Sequence, residues 1–438
     1  MIEKLLNWKN IDKAITQTMR NKGAAGVDGM EVKHLRNYVV EHKQNLFKAI
    51  ENQSYEASAI RGVEIPKSNG KTRLLGVPTV VERMLQQAVN QSIMPYFELE
   101  FRKESYGFRP GKNAQQAALQ AKENINSGNK YIVDIDLKSF FDEVEHYILL
   151  ELIYKKVKCP KTLRLIRKWL RAPILIKGKL QKRRKGIPQG SPLSPLLSNI
   201  MLNELDHYLA KRRQKFVRYA DDFSIYCKSE REAKKIGNEI FLFLQTKLKL
   251  PINREKSGIR KPSSFTMLGY GFTSAYKKGE KGKYQLIVSK KKWESLKRQL
   301  KEVSRKTKPK SLSERIRELL QIQRGWINYF RIANIYTKLQ KVDSWLRNRI
   351  RYCIWHDWKK LDRKRKNLIR LGIPKGQAYA WSRTRMGGWA VAQSPILKTT
   401  ITEQRLRKRG YQSLTEHYRK VSLMFNEPLY TRTVRTVV

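Results

Sequence analysis

Apolar residues at Leu5, Trp8, Ile11, Ile15 and Met19 recur every three or four positions, the spacing that lines one face of a helix, and predict an amphipathic helix over residues 1–20. A glycine-punctuated loop from Asn21 to Gly29 ends it, and a second helix is expected from about Val32 to Asn52. The period then changes. RGVEIPK (61–67) and KTRLLGVP (71–78) flank Ser68-Asn69-Gly70, which reads as a hairpin. Residues 79–127 return to a mainly helical pattern, broken by the turn-rich SYGFRPGKN.

Between 130 and 275 the pattern is mixed, with the clearest strands at Tyr131–Leu137, Phe216–Tyr219, Phe223–Cys227 and Phe265–Phe272. The order strand, helix, helix, hairpin does not alternate as a doubly wound sheet would, and predicts an α+β layer. After about 285 the character becomes helical. Ser311 and Glu314 have capping-box spacing, and Ile316, Leu319, Leu320, Gln323, Ile327 and Phe330 follow down one face. A second stripe runs through Leu339, Val342, Leu346, Ile350 and Cys353, after the basic connection SRKTKPKS (304–311). Trp326 and Trp345 are read as core tryptophans. The expected division is a mixed body over 1–285 (with an N-terminal extension over about 1–50), a helical module over 286–360 and a basic region over 361–438.

Charge narrows the function classes. The 438 residues carry 92 Lys and Arg against 38 Asp and Glu, a formal net charge of +54. Self-repulsion of that size destabilises a compact state unless a polyanion binds. The basic residues run through the whole chain, and no stretch approaches the ~18 apolar residues of a membrane span, so nucleic acid is the expected partner and membrane is not. Lys155–Lys185 and Lys290–Lys310 interleave cations with Trp169, Leu170 and Trp293, as phosphate and base contacts would require. Cys159, Cys227 and Cys353 stand far apart, offering neither a zinc site nor a disulfide framework. The charged N-terminus does not read as a signal peptide, so a reducing intracellular compartment, cytoplasmic and bacterial in type, is expected.

The candidate chemistry lies in two acidic segments. Nucleotidyl transfer uses two divalent ions about 3.5–4 Å apart, held by hard oxygen ligands on one rigid spot. In YIVDIDLKSFFD (131–142), strand alternation sets Asp134 and Asp136 opposite Val133, Ile135 and Leu137, with Asp136 where the apolar run ends. In FVRYADDFSIYC (216–227), hydrophobic strands flank Ala220-Asp221-Asp222, placing two carboxylates on a tight turn where they repel unless a cation bridges them. Each segment alone has an ordinary explanation, a turn or a helix cap. Together they make Asp136, Asp221 and Asp222 the candidate metal ligands and catalytic residues.

DIDLKSFFD (134–142), GIPQGSPLSPLLSNIMLNELD (186–206) and FVRYADD (216–222), in that order, resemble the polymerase motifs of group II intron reverse transcriptases. NKGAAGVDGM (21–30), EIPKSNGKTRLLGVPTVVERMLQQAV (64–89) and SYGFRPGKNAQQA (105–117) are similar to the family's finger motifs, LGYGF (268–272) to a later palm motif and RGWINYF (324–330) to its thumb, or maturase, region. The resemblance implies a right-hand polymerase with fingers and an antiparallel palm sheet, an α-helical thumb/maturase domain and a small basic C-terminal domain. It implies an RNA-directed DNA polymerase using two Mg2+ ions, with Mn2+ as an alternative, that also assists splicing. Its partners would be an RNA template and DNA primer, dNTPs, group II intron RNA and target DNA.

By motif position, the resemblance implies that Lys67 and Arg73 grip the incoming triphosphate, and that Gln189 and Gly190 line the nucleotide pocket. Phe141 would be the steric gate against a ribose 2′-hydroxyl, one of Phe140 and Phe141 being core, and Ala220 would lie under the primer terminus. Asn253, Lys256, Leu268, Gly269 and Tyr270 would contact primer and template. Longer family members continue into an endonuclease domain with His, Asn and paired Cys; no such segment occurs in this sequence, so target-strand cutting is not expected of it. Three other readings share part of this pattern: a reverse transcriptase recruited to phage defence or a CRISPR-linked system, a splicing-only maturase, and an RNA-dependent RNA polymerase, against which Phe141 speaks.

Overall fold

The computed structural model describes residues 1–66, 70, 72–275 and 282–426. The chain forms two compact units that divide between Phe265 and Thr266, ahead of the change in sequence character at about 285. The N-terminal stripe is not one helix. Asn7 interrupts it and caps the second piece, accepting a hydrogen bond from the Lys9 N–H at 3.0 Å, so the helices are Ile2–Leu6 and Trp8–Arg20. The break shifts the phase. Leu5, Ile11 and Ile15 are buried, while Trp8 is exposed with the Lys43 ammonium over its ring.

The strands of the first unit, in chain order, are β1 (Ile60–Pro66), β2 (Thr72–Val77), β3 (Tyr131–Ile135), β4 (Ile174–Ile176), β5 (Lys179–Gln181), β6 (Lys215–Tyr219), β7 (Asp222–Cys227) and β8 (Gly258–Arg260). β1 and β2 form the expected antiparallel hairpin. The other edge of β1 pairs in parallel with β4, which returns as β5 through Lys177-Gly178, both at positive φ. That second hairpin is hidden in the sequence among basic residues. In the same region Trp169 and Leu170 are buried, so they are core rather than base-stacking side chains.

The second sheet, in the order β6-β7-β3-β8, is antiparallel throughout. Val133 and Ile135 of β3 and Phe223 and Ile225 of β7 turn one face into the hydrophobic core beside Leu196, Ile236 and Ile240. Each such side chain contributes about 1.5–3 kcal/mol when fully buried, and period-two alternation then leaves Asp134 and Ser224 on the opposite face.

In the second unit β9 (Thr266–Met267), β10 (Tyr270–Ser274) and β11 (Tyr284–Val288) form a three-stranded antiparallel sheet. The expected continuous strand over 265–272 is instead a hairpin, because Leu268 (φ +54°) and Gly269 (φ +86°) make a two-residue turn. Three helices follow, Lys290–Val303, Leu312–Phe330 and Tyr336–Asp357. The Ser311–Glu314 capping box is present, and Ile316, Leu319, Gln323, Ile327 and Phe330 are buried, as is the whole stripe from Leu339 to Cys353. Trp293 is buried rather than presented to a partner, and Trp326 and Trp345 are only half-buried. Shorter helices continue to the Leu414–Asn426 helix, which is tied to the Tyr336–Asp357 helix by one buried acid. The Asp343 carboxylate accepts from the N–H of Leu414 at 2.7 Å and from the N–H and hydroxyl of Thr415 at 2.9 and 2.7 Å. Among the described residues no helix is long and apolar enough to cross a membrane.

Candidate active site on the antiparallel sheet

The pairing register decides where the acids lie. Val133 faces Ile225, Asp134 faces Ser224 and Ile135 faces Phe223, so one step further brings Asp136, just past the end of β3, level with Asp222 at the start of β7. Asp221 precedes it in the turn between β6 and β7. The backbone of Asp136 is fixed on both sides: its N–H donates to the Ser257 hydroxyl at 3.0 Å, and its carbonyl accepts from the Asn253 N–H at 2.8 Å. The Asp136 carboxylate meets the Lys256 ammonium at 3.2 Å, an open pair in which the lysine is largely exposed.

Asp222 is solvent-exposed on its open side yet walled in by the protein elsewhere. That crowding, and then the charges of Asp221, Asp134 and Asp136, push its carboxyl up to about 6, with Lys256 pulling the other way. Because water still reaches the side chain, the neighbouring carboxylates are the more telling cause. Asp134 is committed elsewhere, with its Oδ2 2.6 Å from the Arg260 Nε. Among the described residues no three His, Cys, Asp or Glu side chains are drawn together as a ready-made cation cage. What the edge offers is three hard-oxygen donors, two facing across one register step and a third beside them, whose mutual repulsion a divalent cation would relieve.

The turn that carries them is strained and braced. Ala220 has φ +58°, a region that favours glycine, and is buried. Arg218, two residues earlier and fully buried, holds it. The guanidinium donates from Nε and Nη2 to the Asp206 carboxylate at 2.8 and 2.6 Å, and from Nη1 to Asn199 Oδ1 at 2.9 Å and to the Ala220 carbonyl at 3.0 Å. Asn199 and Asp206 come from the buried Ser194–Lys211 helix. The SYG segment closes the other side. Tyr106 N–H donates to the Arg218 carbonyl at 2.8 Å, Arg218 N–H to the Glu104 carbonyl at 3.0 Å, and Asn199 Nδ2 to the Gly107 carbonyl at 2.9 Å. A Cβ at Gly107 would stand 2.3 Å from the Ala220 nitrogen, so only glycine fits. These positioning residues were missing from the sequence reading. The unusual pairing of buried Arg and Asp across the two motifs has no one-dimensional signature.

A second group joins the first sheet to the Pro188-Gln189-Gly190 loop. The Gly76 N–H donates to the Gln189 carbonyl at 2.7 Å, and the Arg73 Nε donates to the Gln189 side-chain oxygen. Gly190 has φ +119°, and a Cβ there would meet the Gly76 carbonyl oxygen at 2.6 Å. Arg73, Gln189 and Gly190 are thus brought together; Lys67 lies outside the described residues. Phe140 is buried at 2% exposure and Phe141 half-buried against it, their rings edge to face at 5.3 Å, so Phe140 is the core member of the pair. The Phe141 carbonyl accepts from the Ile187 N–H at 2.6 Å, linking it to the same loop.

Residues 65–272 match the family described as reverse transcriptase (RNA-dependent DNA polymerase), and residues 293–372 match the group II intron, maturase-specific domain. Protein YkfC of Escherichia coli (strain K12) is 31% identical over 282 residues, 55% of this chain and 74% of that protein. The chain belongs to the group II intron type of reverse transcriptase. Group II intron-encoded protein LtrA of Lactococcus lactis subsp. cremoris is 28% identical over 57% of this chain and 52% of its own length. A putative COX1/OXI3 intron 2 protein of Saccharomyces cerevisiae is 27% identical over 57% of this chain and 35% of its own. The chain thus spans about half of LtrA and a third of the yeast protein.

In this reverse transcriptase, the antiparallel sheet with its acidic edge is the palm of a right-hand polymerase, and the helices over residues 293–372 match the maturase-specific domain. The later palm motif sits in the second unit. Leu268 and Gly269 form the β9–β10 turn, and the Leu268 carbonyl accepts from the Tyr329 hydroxyl at 3.0 Å. Tyr270 is fully buried, its hydroxyl donating to the Tyr329 carbonyl and its ring packed on Phe330. Its side chain is therefore core and not a contact surface for primer. Asn253 and Lys256, by contrast, lie beside Asp136.

Proposed function

We propose that this reverse transcriptase copies RNA into DNA at the Asp136–Asp221–Asp222 edge and supports splicing of a group II intron RNA through its maturase-specific domain. The observation that carries the reading is the β3–β7 register, whose last pair, Ile135 with Phe223, sets the end of β3 beside the start of β7, with Asp221 on the braced turn. The three carboxylates would hold two divalent ions, Mg2+ or Mn2+, which when bound lower the barrier to attack by the primer 3′-hydroxyl and to departure of pyrophosphate. The chain's own residues do the rest. Arg73 (and Lys67) bind the triphosphate, Gln189 and Gly190 orient the nucleotide, and Phe141 excludes a ribose 2′-hydroxyl by contact. Ala220, small and buried in the turn, leaves room for the primer end, and Asn253 and Lys256, beside Asp136, line its path. The excess of cations suits polyanionic ligands, here an RNA template with a DNA primer, and intron RNA and target DNA as further ligands inside the cell.

The test uses the purified chain on a primed RNA template with dNTPs and Mg2+. Asp221→Ala should lower incorporation by roughly 10³-fold or more, as expected for a group needed at the transition state. RNA affinity should stay within about twofold, since a carboxylate does not itself bind phosphate. Phe141→Ala should admit rNTPs. Undiminished synthesis by Asp221→Ala would remove the catalytic assignment.

A further inference from the structure

We propose that a pocket in the second unit receives a single nucleotide extruded from a nucleic-acid chain. It is a cavity of about 290 Å3 between the end of the Tyr336–Asp357 helix, the end of the Leu361–Arg370 helix and the Glu403–Lys408 helix. Its apolar part is formed by Ile354, Leu371 and Leu406 with the half-buried ring of Trp358. Its polar part is cationic, with Arg370, Lys408 and Arg409 exposed around it. Among the described residues no acidic side chain lines it.

The cations are what single it out. Arg407, next to Lys408, is already neutralised by Glu403 at 3.0 Å and Glu416 at 3.3 Å, and Arg347 by Glu403 at 3.1 Å. Arg370, Lys408 and Arg409 have no such carboxylate partner among the described residues. Arg405 braces the wall instead, donating from its guanidinium to the Thr400 carbonyl. An indole and aliphatic side chains beside three free cations suit a ligand with one flat apolar face and one phosphate. A cavity of this size takes one nucleotide and not a stretch of strand. Arg363 and Lys366, exposed on the same helix as Arg370, would meet the flanking phosphates, which favours a nucleotide within a chain over a free one. The partner class rests on the nucleic-acid reading above; the pocket itself does not depend on polymerase activity.

The experiment places 5-iodouridine at a single-nucleotide bulge in an RNA hairpin, with a fully paired hairpin and a bulged DNA hairpin as comparison arms. The full chain is bound, irradiated and mapped by mass spectrometry. Cross-linking at Trp358, stronger for a bulged than for the paired hairpin, is expected; whether RNA, DNA or both give it identifies the source strand. Trp358→Leu should abolish that cross-link. Arg370→Ala/Arg409→Ala, two exposed positions whose loss leaves the fold intact, should weaken binding of the bulged hairpin about tenfold relative to the paired one. Both variants should keep wild-type dNTP incorporation on a primed template. Equal cross-linking of the paired hairpin, cross-links only elsewhere, or an unchanged affinity ratio in the double variant would overturn the proposal. Failure of Asp221→Ala to abolish synthesis would bear on the active-site reading alone.

Discussion

A buried arginine with one carboxylate partner, Arg218 with Asp206, stands behind the acids of the palm edge. Removing only the acid strands a cation in the core, so Asp206→Ala should cost roughly 3–5 kcal/mol in urea unfolding. Replacing both partners with apolar residues, Arg218→Met/Asp206→Leu, should recover most of that stability, yet synthesis should remain lost because the Ala220 carbonyl is no longer held. Recovery of activity together with stability would show the pair to be structural only. Glu82 offers a separate residue-scale test. It is buried, accepts from the Ser58 N–H at 2.6 Å, and burial raises its carboxyl to about 7. A carboxyl raised in the folded state stabilises fully below its unfolded value, near 4.5, and loses that contribution as pH rises through about 7. Between pH 5 and 8, the urea midpoint of Glu82→Gln should therefore fall less than that of the wild type.

At the scale of elements, the β6–β7 hairpin is defined by what packs against its turn. The segment around Tyr106 and Gly107 runs beside β6, with hydrogen bonds to both the N–H and the carbonyl of Arg218. Gly107→Ala should push the Ala220 backbone outward and reduce kcat by about tenfold or more with little change in primer–template affinity, since a small misplacement of reacting groups is costly. A kcat within twofold of wild type would mean that the turn moves freely. The hairpin itself was legible because hydrophobic runs flank an Asp-Asp pair. Its strained Ala220 was not, since the residue draws its tolerance from partners over a hundred positions away at Gly107 and from the 194–211 helix. The β4–β5 hairpin and the split of the first helix were missed for a related reason: three-residue strands and a single capping Asn leave too short a pattern to outweigh their charged surroundings.

For the whole molecule, the net charge of +54 sets the terms of nucleic-acid binding. If six to ten phosphates are neutralised, affinity for a primed RNA template should fall by about 10³–10⁵ between 50 and 200 mM salt, measured by filter binding. A slope near zero would point to recognition without phosphate contacts. The exposed cations, and not the tryptophans set among them, carry this term. Trp169 and Trp293 are in the cores of their respective units, so the stacking role read from their basic neighbourhoods does not hold.

The order of the motifs, the alternation in β3 and β7 and the excess of positive charge were enough to give the class of fold and the family and to single out three candidate acids, because each is a local pattern or a sum over the chain. Which acid faces which, which of Phe140 and Phe141 is core, and the withdrawal of Tyr270 into the interior depended on folding. The same holds for the hidden Arg218 brace and the cationic pocket beside Trp358. Those properties arise from strand register and from contacts between residues far apart in the chain, and such contacts leave no periodic trace in the order of amino acids.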